Sequence, residues 1–484
     1  MSAQLSTQKY EPPANGFRTF FVMWLTQAFS AFGSQLTFFA VTIWLSTSLY
    51  AREDQKPDLA FALSAISLMF TLTVLIAPVA GAWADRHDRK RTMIAVDVAN
   101  GVLSGLLMLL MLMNVLELWM LLALVPVIAV LFQFHYAAFD ASYAMLVPEK
   151  HLPRANGMMM AMWSLSAILS PAIAAIIVTL PDLARQGLLP GFLGSSLASV
   201  QNGSALAVGV DAVTFLVAGA VLPFLRVPSP KRTDLGEKGE KPQKSMWADI
   251  KEGARYIKVR KPLIWLLMTF TVVNFATAPL EVFTPLLLKF NLAADWRAQG
   301  FTFESSLALI YTLAGLGGVA GGLAMSAWGG LKGRKVYGVL IPIMLTGLLQ
   351  ILFGLSSWLY LSAALNFLIV AVIPISGAHS QTIWQLQVPK ELQGRVFSVR
   401  RLIAQFSVPL GVTLAGATGA AFNPGLVLAV LGVVIVLFAA FQLFNPYLLK
   451  VEDKEYLDNL ADGNTPEAGA VASGTTATDL NPAA

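Results

Sequence analysis

Residues 81–91, GAWADRHDRKR, place four cations and two acids between the apolar runs 59–84 and 92–115. Crossing a bilayer as a helix takes about 20 residues, so each run is long enough. A turn this charged cannot lie in hydrocarbon and marks a membrane surface. Its excess of Arg and Lys marks that surface as cytoplasmic. The rest of the chain is oriented from this turn.

Twelve apolar runs follow the same logic. They cover roughly 18–49, 59–84, 92–115, 118–147, 156–180 and 204–225, then 262–289, 303–328, 336–355, 358–388, 395–421 and 424–449. The chain is 56% hydrophobic and 13% charged, about half the charge of a soluble domain. The expectation is an all-α membrane protein with 12 transmembrane helices. With both termini inside, only Arg52, Lys56, Arg185, Lys289 and Arg297 of the 33 Lys and Arg fall outside. That asymmetry supports an even number of spans. It also reads the net charge of +5 as membrane topology rather than nucleic-acid binding. The first run follows a polar tail and is too long for a signal-peptide core, so no cleavable signal is expected. With no Cys, disulfides and thiolate metal sites are excluded.

Residues 1–16 read as a cytoplasmic tail, 17–225 as a six-helix bundle, 226–261 as a cytoplasmic linker, 262–450 as a second six-helix bundle, and 451–484 as a disordered cytoplasmic tail. Within the linker, 246–260 alternates an apolar face (Met246, Trp247, Ile250, Ala254, Ile257) with a charged one. Such a helix either lies on the inner leaflet or packs on the cytoplasmic ends of the spans. The halves are related: Val147–Arg154 aligns without a gap with Val388–Arg395, and Gly330–Lys335 echoes the opening turn. Two like halves joined by a polar linker imply a pseudo-two-fold transporter.

At these residues the chain resembles the major facilitator superfamily. Gly81, Asp85, Arg86, Arg89 and Lys90 match its loop 2–3 signature, except that Asp88 stands where the signature usually has glycine. LVPEKHLPRANG after span 4, VPKELQGRVFS after span 10 and Asp211–Phe215 in span 6 resemble the branch that holds macrolide and siderophore exporters. The resemblance implies two pseudo-symmetric six-helix bundles. It further implies export of a drug-like, macrolide-like or siderophore-like amphipathic molecule, driven by proton influx across a bacterial inner membrane. The implied partners are that substrate, protons and lipid, for a monomer with no cofactor beyond the proton gradient.

Ionisable groups inside spans are costly and need a reason. Asp85 ends span 2 where such a fold brings the start of span 11, so Arg395, Arg400 and Arg401 are its candidate partners in gating. Asp97, Asp140, Asp211 and Glu281 are candidate proton carriers, the last two expected near the outer side. Asp211 has the alternative role of a helix cap. Gln27, Ser34 and Gln35 share a face of span 1 and, with Gln381 of span 10, are candidates for the substrate path; Trp24, Phe38 and Trp44 would add aromatic surface. The absence of zinc, phosphate-loop and nucleophile-elbow motifs argues against an enzyme. A uniporter or importer of a small metabolite without ion coupling is the alternative reading.

Overall fold

The computed structural model describes residues 13, 15–148, 151–227, 246–389 and 392–461. The expected tail before residue 13, the linker 228–245 and the tail after 461 lie outside the described residues. Among those described, twelve helices are long and apolar enough to cross a membrane. Numbered as spans 1–12, they are Gly16–Leu49, Glu53–Ala84, Arg89–Leu112, Leu118–Tyr143, Arg154–Arg185, Ser204–Phe224, Lys261–Phe290, Phe303–Trp328, Lys335–Leu355, Leu359–Gln387, Gln393–Gly419 and Pro424–Leu443. Span 12 ends earlier than its apolar run because Asn445 and Pro446 stop it; Asn445 Oδ1 accepts from the Tyr447 amide at 3.0 Å.

Helix pairings repeat between the halves. Span 3 packs on span 6 as 9 packs on 12, span 2 on 4 as 8 on 10, and span 1 on 5 as 7 on 11. Across the halves, span 5 meets span 8 and span 2 meets span 11, again a matched pair. Small residues set the closest seams, as lipid-embedded packing favours. A Cβ at Gly354 would sit 2.3 Å from the Gly425 carbonyl oxygen, and one at Gly425 would sit 2.1 Å from that of Gly354.

Two spans are interrupted. Span 2 consists of helix Lys56–Leu72, a tight turn Thr73–Ile76, and helix Ala77–Arg86. Span 7 breaks between Lys261–Thr277 and Pro279–Phe290. Pro78 and Pro279 account for both breaks, since proline removes a backbone donor and crowds the preceding turn.

The opening turn folds as helix caps. Asp88 Oδ1 accepts from the Arg91 amide at 3.0 Å, so this departure from the family signature is the N-cap of span 3. Arg89 is buried and donates to the carbonyls of Ala84 (3.1 Å) and Ala141 (3.0 Å), while Lys90 Nζ reaches the Pro223 carbonyl (2.7 Å). Cations thus sit at the C-terminal ends of spans 2, 4 and 6, where the helix dipole favours them. In the other half, Glu452 does for span 9 what Asp88 does for span 3, accepting from the Val336 amide at 2.8 Å.

The linker helix Met246–Val259 packs on spans 11 and 7, seated on the ends of the second bundle's helices. Tyr256 donates to the Gln387 carbonyl at 2.7 Å, Arg395 donates to Glu252 at 2.9 Å, and Ile257 is buried. The tail requires a correction. Residues 454–461 form a short helix whose Leu457 is buried in the second bundle, and Asp453 accepts from the Tyr456 amide at 3.0 Å. Eight residues are too few to show periodicity against a polar background.

The end of the molecule opposite the linker helix, here the far face, is tied across the bundles by two lysines. Lys289 at the end of span 7 donates to the carbonyls of Ser46 (2.7 Å) and Tyr50 at the end of span 1. Lys56 at the start of span 2 donates to the Phe422 carbonyl just past span 11 (2.8 Å). Ser64 and Ala60 of span 2 pack on Gly416 and Gly419 of span 11 at the same end. Towards the linker face, span 2 turns back onto span 4 instead.

Candidate functional site

Asp211 is the centre of an enclosed polar site. It lies two turns inside helix Ser204–Val221, whose N-cap is Gly203, so it is not a cap. Its buried carboxylate accepts from Ser34 (3.2 Å), Thr37 (2.9 Å) and Ser104 (3.0 Å). Gly33 makes this possible: a Cβ there would lie 2.9 Å from the Asp211 Cα and 2.4 Å from Thr214 Oγ1. Span 1 therefore approaches span 6 closely enough for Ser34 and Thr37, one residue and one turn later, to reach the same carboxylate. No described residue forms an ion pair with Asp211. Hydroxyls both donate and accept, so this shell suits the carboxylate and the carboxylic acid alike.

Asp211 opens on a cavity of about 330 Å³. Gln35, Phe38, Phe132, Trp163 and Glu281 line it with Ser34. Glu281 is accessible, but the surface it shows is that of this cavity and its neighbours. Of the expected aromatic lining, Phe38 is there, while Trp44 is buried in the core and Trp24 donates to the Met158 carbonyl at 3.0 Å.

A second polar group lies nearer the linker face. Asp97 is fully buried, 3.1 Å from His135 Nε2 without an aligned hydrogen bond. Gln27 donates to its other oxygen at 3.4 Å. Gln27, His135 and Asn100 line a narrow gap of about 30 Å³ beside the larger cavity. Asn100 borders both cavities, and its amide has no hydrogen-bond partner among the described residues. Spans 1, 3 and 4 thus carry polar groups from Asp211 towards the linker face.

Asp140 is exposed on span 4, beside Tyr143, and lines none of these cavities. Gln133, two turns earlier on span 4, reaches Thr73 of span 2 at 3.4 Å. Of the signature residues, Gly81 has open space around its missing side chain and Arg86 is exposed. Asp85 falls in the last turn of span 2, with its side chain outside the described residues. Of its expected partners, Arg395 donates to Glu252, and Arg400 and Arg401 line a cavity of about 370 Å³ inside the second bundle with Gln381.

His135 as the partner of Asp97, and Ser104 and Asn100 as parts of the site, were not singled out from the sequence. The available signal was small: polar residues at helical spacing in span 3 (97, 100, 104).

The profile of the Major Facilitator Superfamily matches residues 23–412. The macrolide efflux protein A of Streptococcus pyogenes is 23% identical over 398 residues, 82% of this chain and 88% of that protein. That of Enterococcus faecalis is 23% identical over 355 residues, 73% of this chain and 99% of that protein. Among solved structures, a bacterial homologue of the lysosomal transporter Spinster superposes with TM-score 0.62 at 15% identity, covering 92% of this chain and 98% of that one. With twelve spans in two matched sets, and a family match over most of its length, the chain belongs to the major facilitator superfamily of membrane transporters.

Proposed function

We propose that the protein exports an amphipathic small molecule across a bacterial inner membrane in exchange for protons, by alternating access. The linker face is then cytoplasmic, because it carries Arg89, Lys90, Arg395 and the linker cations. The observation that carries the reading is the enclosed Asp211, held by three hydroxyls and no cation, on a cavity with a second acid, Glu281. An ion-paired carboxylate stays ionised. One held by hydroxyls can exchange a proton when the cavity changes sides. The aromatic cavity wall suits an amphipathic solute better than a sugar, and the macrolide efflux relatives point to export.

In this reading the two far-face lysines hold the outer side shut while the cytoplasmic side admits substrate. Glu281 takes up protons from the outer side when that side opens, and Asn100, His135 and Asp97 lead from Asp211 towards the cytoplasm. The test uses inverted membrane vesicles and a panel of macrolides, siderophores and lipophilic ions. A pH gradient, acid inside, should drive accumulation of at least one, and Asp211→Asn should abolish it with expression intact. Accumulation that ignores the gradient in both proteins would favour the uncoupled alternative.

A further inference from the structure

The cavity of the second bundle is built around a cation without an acid. Arg400 lies two turns into span 11, half-buried. Its guanidinium donates to Gln381 Oε1 at 2.8 Å and to Ser380 Oγ at 3.4 Å, and lies 5.2 Å from the Trp384 ring centroid. All three partners are neutral. Arg401 follows it and lines the same cavity. Neither forms an ion pair with any described residue. A charge held inside a span without a counter-ion is costly, and such groups mark ligand paths. A guanidinium offers five N–H donors in a fixed fork, so the two neutral contacts leave it able to grip an oxyanion through a pair of bonds.

The surroundings fit that role. Asn274, Thr277, Thr346 and Gln405 add neutral hydrogen-bonding groups to the cavity wall, and no acid lines it. Asn274 and Thr277 also line the adjacent cavity that holds Glu281. That acid in turn borders the aromatic chamber of the first bundle. Basic and acidic regions are therefore segregated along one continuous set of walls, with apolar surface between them.

We propose that Arg400, assisted by Arg401, binds the anionic group of the transported molecule, a carboxylate or similar oxyanion, while its apolar body lies against the aromatic wall. This rests on the transporter reading and deepens it by naming the substrate class: amphipathic organic anions rather than cations.

The test is binding to the purified full-length protein in phosphatidylcholine nanodiscs with no gradient, so a failure of proton coupling leaves it unaffected. Three probes share one aromatic body: 1-naphthaleneacetate, its neutral amide, and the cation 1-naphthylmethylamine. Wild type should bind the anion at least about tenfold more tightly than the amide and the cation least. Arg400→Gln should erase the preference for the anion and leave amide binding unchanged; Arg400→Lys should retain part of it. Adding phosphatidylglycerol separates the sources of the anion. Unchanged naphthaleneacetate affinity identifies a soluble organic anion, as proposed, and competition would assign the site to a lipid phosphate and overturn the substrate claim. Equal affinity of wild type for anion and amide would overturn the proposal without any variant. So would an anion preference that survives Arg400→Gln.

Discussion

Gly33 of span 1 lies against Asp211 of span 6 so closely that a Cβ at position 33 would be 2.9 Å from the aspartate Cα. That contact is what lets Ser34 and Thr37 reach one carboxylate. Gly33→Ala should push the spans apart at a cost of about 1–3 kcal/mol, as overpacking does. Thermal unfolding followed by size-exclusion chromatography should show a lowered midpoint, and transport should fall together with it. A wild-type midpoint would mean that the seam is looser than the structure shows.

The buried Asp97 and His135 depend on each other. Removing one partner of a buried polar pair leaves the other unsatisfied, at a cost of about 1–3 kcal/mol. Asp97→Ala and His135→Ala should each destabilise the protein, and the double variant should lose less than the sum of the two. A double-mutant cycle on thermal stability reads this directly, and strict additivity would show that the 3.1 Å approach carries no coupling.

Lys289 and Lys56 bridge the two bundles at the far face, each donating to a carbonyl at a helix end in the opposite bundle. Each cation at a helix C-terminus contributes about 1 kcal/mol, a factor of about five in population. Lys289→Met should shift the protein towards states open at the far face. The chain has no Cys, so spin labels at exposed Asp54 and Arg297 need no background removal. Their distance distribution should gain a longer component in the variant. An unchanged distribution would remove the lysines from the gate.

The linker helix is pinned by Tyr256, whose hydroxyl is buried against Gln387. Burial raises its pKa above the usual 10.0, with Arg260 opposing and Asp458 reinforcing the shift. The folded state therefore prefers the neutral phenol. Its contribution is fully present below the unfolded pKa, near 10, and is lost as pH rises through the folded value. The protection of residues 246–259, with exchange rates divided by their intrinsic base-catalysed values, should fall above about pH 10 in wild type, and Tyr256→Phe should be less protected at neutral pH but lose that fall. An equal fall in both proteins would place the cause elsewhere.

Hydropathy and charge made the spans and their pairing by halves legible, because lipid allows few alternatives to an apolar helix. The shell around Asp211 was not legible: Ser34 was read as a substrate-path residue, and Ser104 reaches Asp211 from another span. The contacts of Arg400 with Gln381 and Ser380 were not legible, because they lie across the turn between spans 10 and 11. The short helix 454–461 was hidden by its length, since only its docking onto the bundle reveals Leu457 as core.

The central claim is that substrate leaves as protons enter through Asp211. Its most direct test loads proteoliposomes with a pH-sensitive dye and drives them with a substrate gradient alone. Wild type should move protons opposite to substrate, while Asp211→Asn should exchange substrate across the membrane and move no protons. Substrate flux in wild type without any proton movement, or proton movement that persists in Asp211→Asn, would contradict the account.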